Sequence, residues 1–452
     1  MPRLLERDPT TEDRNSLLIS GGRIVDPGQG IDWIGSLLVT DGRIAWLAAG
    51  DAQPPDDNFE ILDASGMVVC PGFVDFHCHL REPGFEAKET IATGTEAAAR
   101  GGFTTVCCMP NTNPPIDTVT MIESIKKRAY QDAVIRVLPI ACITRRRKGN
   151  SLVSLARLAA AGAVGFSDDG SPVSRADLMR RALESCHAPY LPIIEHCEDL
   201  SLSDNGVMNE GKVSRQFGFR GIPASAEEKM VARDLALARD TGGRLHLAHI
   251  STAGSVGMVR RAKEAGIQVT CEVTPHHLTL TEEEIIRHGA DAKVSPPLRT
   301  EKDIAALILG LRDDVIDVIA TDHAPHTEAD KRGGLVNAAF GISGFETALG
   351  SLLRLVHSGM MPLDKVISKL TDEPAKLLGG RFGTLGKLAV GVGADITIFD
   401  PDKEWVVDPS KFVSRGRNTP LAGATLKGKV MATLFAGEVA YCDDTIKISA
   451  GN

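Results

Sequence analysis

The chain has 452 residues and a formal net charge of −9, with 43% hydrophobic and 24% charged residues. This composition is typical of globular proteins and argues against disordered, collagenous or membrane-spanning chains. Nucleic acid is not expected as a partner, because a phosphate backbone requires a basic surface and the only basic run, Arg145 to Lys148, is short and predicted to be a solvated loop.

The first 70 residues predict short β-strands. Residues 1–15 lack the apolar core of a signal peptide and are expected to be disordered or peripheral, so a cytoplasmic location is expected. Nine cysteines without CxxC spacing fit the reduced thiols of that compartment. Four strands separated by Gly and Asp turns are predicted: Leu17–Val25, Ile34–Val39, Gly42–Leu47 and Ile61–Val69.

Residues 71–390 repeat a strand–helix pattern. Eight strands are predicted: Phe73–His79, Thr104–Met109, Val134–Pro139, Ala163–Ser167, Pro192–His196, Arg244–Ile250, Gln268–Val273 and Val315–Thr321. Helical spacing predicts seven helices between them: Glu89–Arg100, Thr118–Arg128, Leu152–Ala161, Arg175–His187, Ser225–Thr241, Ala253–Ala265 and Asp303–Leu311. Strands that alternate with helices form parallel sheets, so this α/β pattern predicts a (β/α)8 TIM-like barrel.

Residues 391–452 again predict strands: Asp395–Phe399, Ala422–Leu426, Val430–Phe435 and Glu438–Tyr441. Both terminal β segments lie outside the barrel. We therefore expect residues 1–70 and 391–452 to pair into one small β-sandwich domain. The alternative is two unrelated β extensions.

Residues that can bind metal fall at the ends of the predicted strands. His77 and His79 lie two residues apart on the first strand, so their side chains point to the same face. The other candidates are Asp168 and Asp169 after the fourth strand, His196 at the end of the fifth, His249 near the end of the sixth and Asp322 after the eighth. These strand ends surround the mouth of a barrel, where barrel active sites lie. The set exceeds the three protein ligands usual for one catalytic zinc, which favours two Zn²⁺ ions over one.

The remaining histidines near strand ends have other predicted roles. His246 lies three residues before His249 on the same strand and is expected to pack outward against helices. His323 follows Asp322 and is expected to be a hydrogen-bond partner of the site. His276 and His277 could approach the mouth, although a role away from it is favoured.

The pattern of strand-end ligands resembles the amidohydrolase superfamily. Within it, several longer motifs are similar to those of the class I bacterial dihydroorotases: HLREPG at 79–84, GGFTTVCCMPNTNPP at 101–115, FSDDGSPV at 166–173, CEVTPHHL at 271–278 and ATDHAPH at 320–326. The resemblance extends from about residue 17 to residue 441.

The resemblance implies a role for each ligand candidate: His77, His79 and Asp322 bind one zinc, His196 and His249 bind the other, and Asp169 bridges the two. Asp168 remains the alternative bridge. Many members of the superfamily bridge with a carboxylated lysine instead. No lysine occupies this position, which weighs against a hydantoinase or allantoinase.

The resemblance also implies the substrate contacts: Arg81, Asn111, Ser295, His326, Phe340 and Gly341. The family's common form has asparagine before PPLR, whereas this chain has Ser295, which lacks the reach and the second polar group of an amide. Residues 327–339 are expected to form a mobile active-site loop or a simple exposed connection.

The activity implied is the reversible interconversion of L-dihydroorotate and N-carbamoyl-L-aspartate, the third step of de novo pyrimidine synthesis. Asp322 is the implied catalytic residue, carrying a proton to and from the ring nitrogen. Besides the small-molecule substrate, the implied partners are a second copy of the chain in a homodimer and aspartate transcarbamoylase. The alternatives are another cyclic amidase and a non-catalytic partner of that transcarbamoylase.

Overall fold

The computed structural model describes residues 16–55, 58–187 and 190–450. The expectation for residues 1–15 therefore lies outside the described residues.

The N-terminal segment forms five strands. They are β1 (Ser16–Asp26), β2 (Ile31–Thr40), β3 (Arg43–Ala49), β4 (Glu60–Asp63) and β5 (Val68–Pro71). Strands β1, β2 and β3 pair antiparallel in sequence order, and β1 is also parallel to β4 and β5. The single strand predicted for Ile61–Val69 is two strands, because a turn closed by the Met67 N–H bond to the Ala64 carbonyl interrupts it.

The middle segment contains ten strands, and all eight predicted strands are among them. They are β6 (Phe73–Cys78), β7 (Phe103–Cys108), β8 (Arg136–Pro139), β9 (Phe166–Ser167), β10 (Ile193–Glu195), β11 (Met208–Asn209), β12 (Gly221–Ile222), β13 (Leu245–Leu247), β14 (Val269–Val273) and β15 (Val318–Ile319). Strands β11 and β12 pair only with each other.

The other eight strands form two parallel sheets whose edges are bridged. The sheets have the orders β6-β7-β8 and β15-β14-β13-β10-β9. At one junction lies Ala141, just after β8. Its N–H donates to the Gly165 carbonyl at 3.0 Å, and its carbonyl accepts the Ser167 N–H at 2.8 Å. At the other, the Asp322 N–H bonds to the His77 carbonyl at 2.9 Å.

Sixteen α-helices occur in the described residues. They are α1 (Ile91–Arg100), α2 (Val119–Asp132), α3 (Leu155–Ala161), α4 (Ala176–Ser185), α5 (Leu200–Ser203), α6 (Lys212–Phe217), α7 (Ala224–Thr241), α8 (Ala253–Glu264), α9 (Pro275–Thr279), α10 (Glu284–His288), α11 (Glu301–Arg312), α12 (Glu328–Lys331), α13 (Gly334–Asn337), α14 (Ala348–His357), α15 (Leu363–Leu370) and α16 (Asp372–Leu378). The seven predicted helices are α1 to α4, α7, α8 and α11. Capping boxes at Thr90 and Thr300 explain where α1 and α11 begin.

The C-terminal segment returns to the first sheet. Its strands are β16 (Ile396–Val406), β17 (Thr425–Phe435), β18 (Glu438–Cys442) and β19 (Ile448–Ala450). Strand β16 pairs antiparallel with β5, so strands from both termini form one nine-stranded sheet, in which β19 pairs with β4. Two predicted strands merge into β17, because Gly428 continues the strand at a φ of 104° that other residues rarely adopt.

Among the clusters of buried side chains, three connect the strands and helices named above. One contains alternate residues of the parallel strands, such as Val74 and Phe76, together with Leu377 and Leu378 of α16. A larger one lies between those strands and the helices, and a third, with Ile24, Leu37 and others, belongs to the terminal strands and the residues next to them. No helix in the described ranges is long and apolar enough to cross a membrane.

Candidate active site

The six predicted metal ligands lie at or directly after the carboxyl ends of parallel strands, and all six are buried. Their positions are His77 in β6, His79 after it, Asp169 after β9, His196 after β10, His249 after β13 and Asp322 after β15. His249 and Asp322 adopt positive φ angles of 31° and 45°. Such backbone strain in non-glycine residues concentrates at functional sites.

Asp169 lies at the centre of the four histidines. Its Oδ1 atom is 3.6 Å from His77 Nε2, 3.5 Å from His196 Nδ1 and 3.6 Å from His249 Nε2, and its Oδ2 atom is 3.6 Å from His79 Nε2. These distances are too long for hydrogen bonds. They match the separation of about 3.3–3.6 Å between two atoms that each lie about 2.0–2.2 Å from one tetrahedral zinc ion.

Asp322 lies against the first two histidines. Its Oδ1 atom is 3.0 Å from His79 Nε2 and 3.6 Å from His77 Nε2. Burial by itself would raise the pKa of this carboxyl, but the nearby imidazoles of His79 and His77 hold it well below its usual range. Asp322 is therefore a carboxylate at neutral pH.

The donor set fits a metal ion. The Nε2 atom of His77 is buried and has no hydrogen-bond partner among the described residues. A buried nitrogen of this kind is costly unless a ligand uses its lone pair. Two groups of atoms, each within 4.8 Å, could hold an ion, and both contain Asp169: one with His77 and His79, the other with His196 and His249.

Asp168, the alternative bridge, points away from this cluster. Its carboxylate accepts hydrogen bonds from the main-chain N–H groups of Ile143, at 2.9 Å, and Thr144, at 3.1 Å, and from the Thr144 hydroxyl. Asp168 therefore anchors the segment after β8, while Asp169 faces the histidines.

Glu272 is a site residue that the sequence analysis missed. Its Oε1 atom accepts from His77 Nδ1 at 2.6 Å, and its Oε2 atom accepts from His246 Nε2 at 3.1 Å. Burial opposes ionisation of Glu272, but the two imidazoles lower its pKa to about 2. The signal that could have identified Glu272 is its place in β14, because site residues follow both neighbouring strands, β13 and β15.

The expected outward orientation of His246 is wrong. The residue packs edge-on against Phe76, within 5.0 Å between ring centroids, and bonds to Glu272. The expectation assumed that a strand continues from His246 to His249, but β13 ends at Leu247 and His249 has a positive φ. Alternation of side chains does not extend past the end of a strand.

Two further side chains hold ligands in place. Glu198 Oε2 accepts from His196 Nε2 at 3.1 Å, which leaves Nδ1 facing Asp169. The Arg147 guanidinium donates to the main-chain carbonyl of Asp169 and, at 3.1 Å, to the Ser171 hydroxyl. Arg147 was expected to be in a solvated run, and this expectation is wrong for it, whereas Arg145, Arg146 and Lys148 are exposed.

A cavity of about 540 Å³ opens above the cluster. All six residues predicted to contact substrate line it: Arg81, Asn111, Ser295, His326, Phe340 and Gly341. Five of the six predicted metal ligands line it too, all except His77. Asn111 also contacts the ligands, because its Oδ1 atom accepts from His79 Nδ1 at 2.8 Å and its Nδ2 atom donates to Asp169 at 3.2 Å.

The cationic side of the cavity is built around Arg81. Its Nε donates to the Pro325 carbonyl at 3.2 Å, and one terminal nitrogen lies 3.3 Å from His326 Nε2. Burial, together with the charges of Arg81 and Lys88, lowers the pKa of His326 to about 2, so its ring is neutral. The 2.8 Å contact with the Phe340 carbonyl places the ring proton on Nε2.

The segment expected to be a mobile loop contains the short helices α12 and α13. Lys331, whose side chain is buried, donates to four main-chain carbonyls, among them those of Ala339 and Gly341 at 2.9 and 2.7 Å. The Lys293 ammonium lies 4.3 Å from the centre of the Phe340 ring. These lysines connect the segment to the wall of the cavity.

The other histidines near the mouth do not join the cluster. His277 bonds to Thr274 and to the Pro296 carbonyl, and His323 accepts from the Gly344 N–H and lies 3.3 Å from Glu89. His276 is buried and its Nε2 has no partner among the described residues. Cys197 is buried in the strand–helix core, and burial raises the pKa of its thiol well above the usual value.

Comparison with known proteins gives a consistent result. Residues 66–255 match the family model described as dihydro-orotase-like. The chain is 50% identical over 428 residues to a dihydroorotase from Syntrophus aciditrophicus and 51% identical over 432 residues to one from Pelotomaculum thermopropionicum; each alignment covers 95% of this chain and 100% of the relative. Among solved structures, L-hydantoinase (dihydropyrimidinase) from Arthrobacter aurescens has a TM-score of 0.86 at 26% identity, covering 97% of this chain and 98% of that one.

Proposed function

This chain belongs to the dihydroorotase family of metal-dependent cyclic amide hydrolases, and from that membership we propose how its cavity acts in pyrimidine synthesis. The reaction is the reversible interconversion of L-dihydroorotate and N-carbamoyl-L-aspartate. The observation that carries the proposal is that Asp169, Asp322 and three of the predicted histidine ligands line the same cavity as Arg81 and Asn111.

We infer that the eight parallel strands of residues 71–390 close into a (β/α)8 barrel. The bridges at both junctions between the two parallel sheets support this inference. Residues 1–70 and 391–452 would form a small β-sandwich domain, which is supported by the sheet that they share and by a core cluster drawn from these strands and their neighbouring residues.

We propose that the metal is zinc and that two ions bind. His77, His79 and Asp322 would hold one ion, His196 and His249 the other, and Asp169 would bridge them. The two overlapping donor groups that share Asp169 support a pair rather than a single ion. When bound, the metal would supply a nucleophilic water at neutral pH and polarise the amide carbonyl.

Asp322 is the proposed proton carrier. Its Oδ1 atom contacts His79, while its Oδ2 atom makes no hydrogen bond in the described part of the chain, and the residue lines the cavity. In ring opening, Oδ2 would hold the proton taken from the attacking water and deliver it to the leaving amide nitrogen. In ring closure, the same oxygen would accept the proton of the ureido nitrogen.

The substrate carboxylates are anionic, and Arg81 is the cation proposed to bind one of them in a forked hydrogen-bonded pair. Asn111 and Ser295 would contact the amide groups of the ring. His326 is neutral and its Nε2 proton is directed to Phe340, so its proposed role is to shape the pocket and to pack its ring against the substrate. The Phe340–Gly341 main chain would close the pocket.

A spectrophotometric assay with L-dihydroorotate tests the proposed function. We expect activity in the metal-loaded protein, loss after chelation and recovery when Zn²⁺ is returned. Hydantoin and allantoin in the same assay test the rival cyclic-amidase activity. We expect their turnover to be at least about 100-fold below that of dihydroorotate, because these rings lack the carboxylate that Arg81 is proposed to bind. Turnover of hydantoin but not of dihydroorotate would contradict the proposal.

We propose a cytoplasmic homodimer that could also bind aspartate transcarbamoylase. Chains named dihydroorotase that match this one along their whole length support the biosynthetic setting. Light scattering of the purified chain, alone and mixed with the transcarbamoylase, tests the assembly. A monomer that does not change mass on mixing would contradict it.

A further inference from the structure

A second cavity, of about 820 Å³, lies outside the metal site, and the two cavities share no lining residue. We call it the arginine cavity. One wall is the segment 113–120, between β7 and the start of α2, and the other comes from the segment 145–158, which follows β8. Its volume lies in the range of small-molecule sites.

Three guanidinium groups line the arginine cavity, those of Arg145, Arg146 and Arg157. All three residues are exposed, and their side chains have no hydrogen-bond or ion-pair partner within the described ranges. The single acidic residue in the lining is Asp117, which accepts the main-chain N–H of Arg146 at 2.9 Å. The cavity therefore carries unbalanced positive charge on a chain whose net charge is −9.

The amino end of helix α2 faces the same cavity. Thr118, Val119 and Thr120 contribute to the lining, and Thr118 caps the helix by accepting the Met121 N–H at 3.2 Å. The first turn contains no acidic side chain, and the N–H groups of Val119 and Thr120 have no acceptor in the described part of the chain. Free N–H groups at the positive end of a helix dipole favour anions.

We propose that the arginine cavity is a binding site for a polyphosphate anion. Guanidinium groups pair with phosphate oxygens through two parallel hydrogen bonds, and the helix end adds main-chain donors. Three such groups and a helix terminus distributed around about 820 Å³ suit several linked phosphates better than a single carboxylate. The phosphates could belong to a nucleoside triphosphate or to an inorganic chain.

Calorimetric titration of the purified, metal-loaded full-length chain tests this site, with tripolyphosphate and ATP as separate probes. The double variant Arg145→Ala/Arg157→Ala should raise the Kd for both probes by about tenfold or more, since charge-assisted hydrogen bonds are lost. Arg146→Ala is an independent second variant and should weaken binding about threefold or more. Circular dichroism checks that each variant is folded.

The matched control is Arg181→Ala/Arg312→Ala. These arginines are also exposed and without side-chain partners among the described residues, so the control removes the same charge elsewhere. We expect its Kd to stay within about twofold of the wild-type value, because distant surface charges are screened at physiological salt. Because this control variant keeps the metal site, it also shows how much of the measured heat comes from chelation of zinc by the probes.

Tighter binding of ATP than of tripolyphosphate would support a nucleotide ligand, and equal binding would support recognition of the phosphates alone. The proposal is overturned if the wild-type chain shows no saturable binding of either probe. It is equally overturned if both double variants weaken binding to the same extent, since that result would mean attraction by net charge only.

Discussion

His77 and Glu272 are joined by a 2.6 Å hydrogen bond between Nδ1 and Oε1, across 195 positions of the sequence. Because a carboxylate only accepts, Nδ1 must carry a ring proton, and Nε2 is the nitrogen that faces Asp169 and Asp322. Glu272 thereby selects the tautomer of His77 that can bind metal.

Replacing Glu272 tests this relationship. In Glu272→Gln the negative charge that orients and polarises His77 is lost, so metal affinity should fall about 10–100-fold. Competition with a chromogenic chelator measures it. The matched control is Glu346→Gln, which changes another buried carboxyl outside the cavity and should leave metal affinity unchanged. Equal affinity in wild type and Glu272→Gln would contradict the role.

The variant Asp322→Asn removes the proposed proton carrier. We expect kcat to fall about 10²–10⁴-fold, the usual contribution of a general acid–base group. Metal content and the melting temperature, measured on the same preparation, should show that the fold and most of the metal are retained. A near-normal rate would mean that another group carries the proton.

Arg81→Met tests carboxylate recognition. The change removes the forked donors while keeping a similar length of side chain, so KM should rise by about tenfold or more and kcat should change less. Steady-state kinetics separate the two effects. Arg81→Lys keeps the charge without the fork and should give an intermediate KM, and an unchanged KM in the methionine variant would exclude the role.

Ser295→Asn tests the position at which this chain differs from the common family form. The serine side chain lines the cavity and makes no hydrogen bond in the described ranges, so an amide there gains reach and a second polar group. We expect KM for dihydroorotate to fall about threefold to tenfold, with Ser295→Ala as the control that should not lower it. A higher KM in the asparagine variant would mean that the loop has no room for the longer side chain.

Glu346 predicts a pH dependence of stability. Burial raises its pKa from the usual 4.5 to about 7, partly offset by hydrogen bonds from Val413 and Arg100. The folded chain therefore holds the proton more tightly than the unfolded chain, and stability falls as pH rises from about 4.5 to about 7. The free energy of unfolding of Glu346→Gln minus that of wild type should therefore increase by about 1–3 kcal/mol from pH 5 to pH 8. Urea unfolding of both proteins at pH 5 and pH 8 measures these free energies. A difference between the two proteins that is the same at both pH values would contradict the prediction.

The positions of the site residues could be read from the sequence because they depend on one regularity. Parallel strands bring their carboxyl ends to one edge, so His77, His196 and Asp322 could be placed together from strand prediction alone. The choice between Asp168 and Asp169 could not, since it depends on the Thr144 segment that captures Asp168.

The missed features have the same kind of cause. His246 was misplaced because the end of β13 and the positive φ of His249 are not visible in residue type. Glu272 and Arg147 act through contacts between distant segments, which local pattern does not encode. The division between β4 and β5 and the continuity of β17 likewise depend on turn and glycine conformations.

The antiparallel pairing of β5 with β16 has a consequence for synthesis on the ribosome. The N-terminal strands emerge first, yet one edge of β5 has no neighbour until the segment that forms the parallel strands has been translated and β16 follows. During that interval the nascent chain carries an open apolar edge, which can recruit other unfolded chains. The terminal sheet can therefore be completed only after β16 has been translated, and premature termination before β16 would leave an aggregation-prone product.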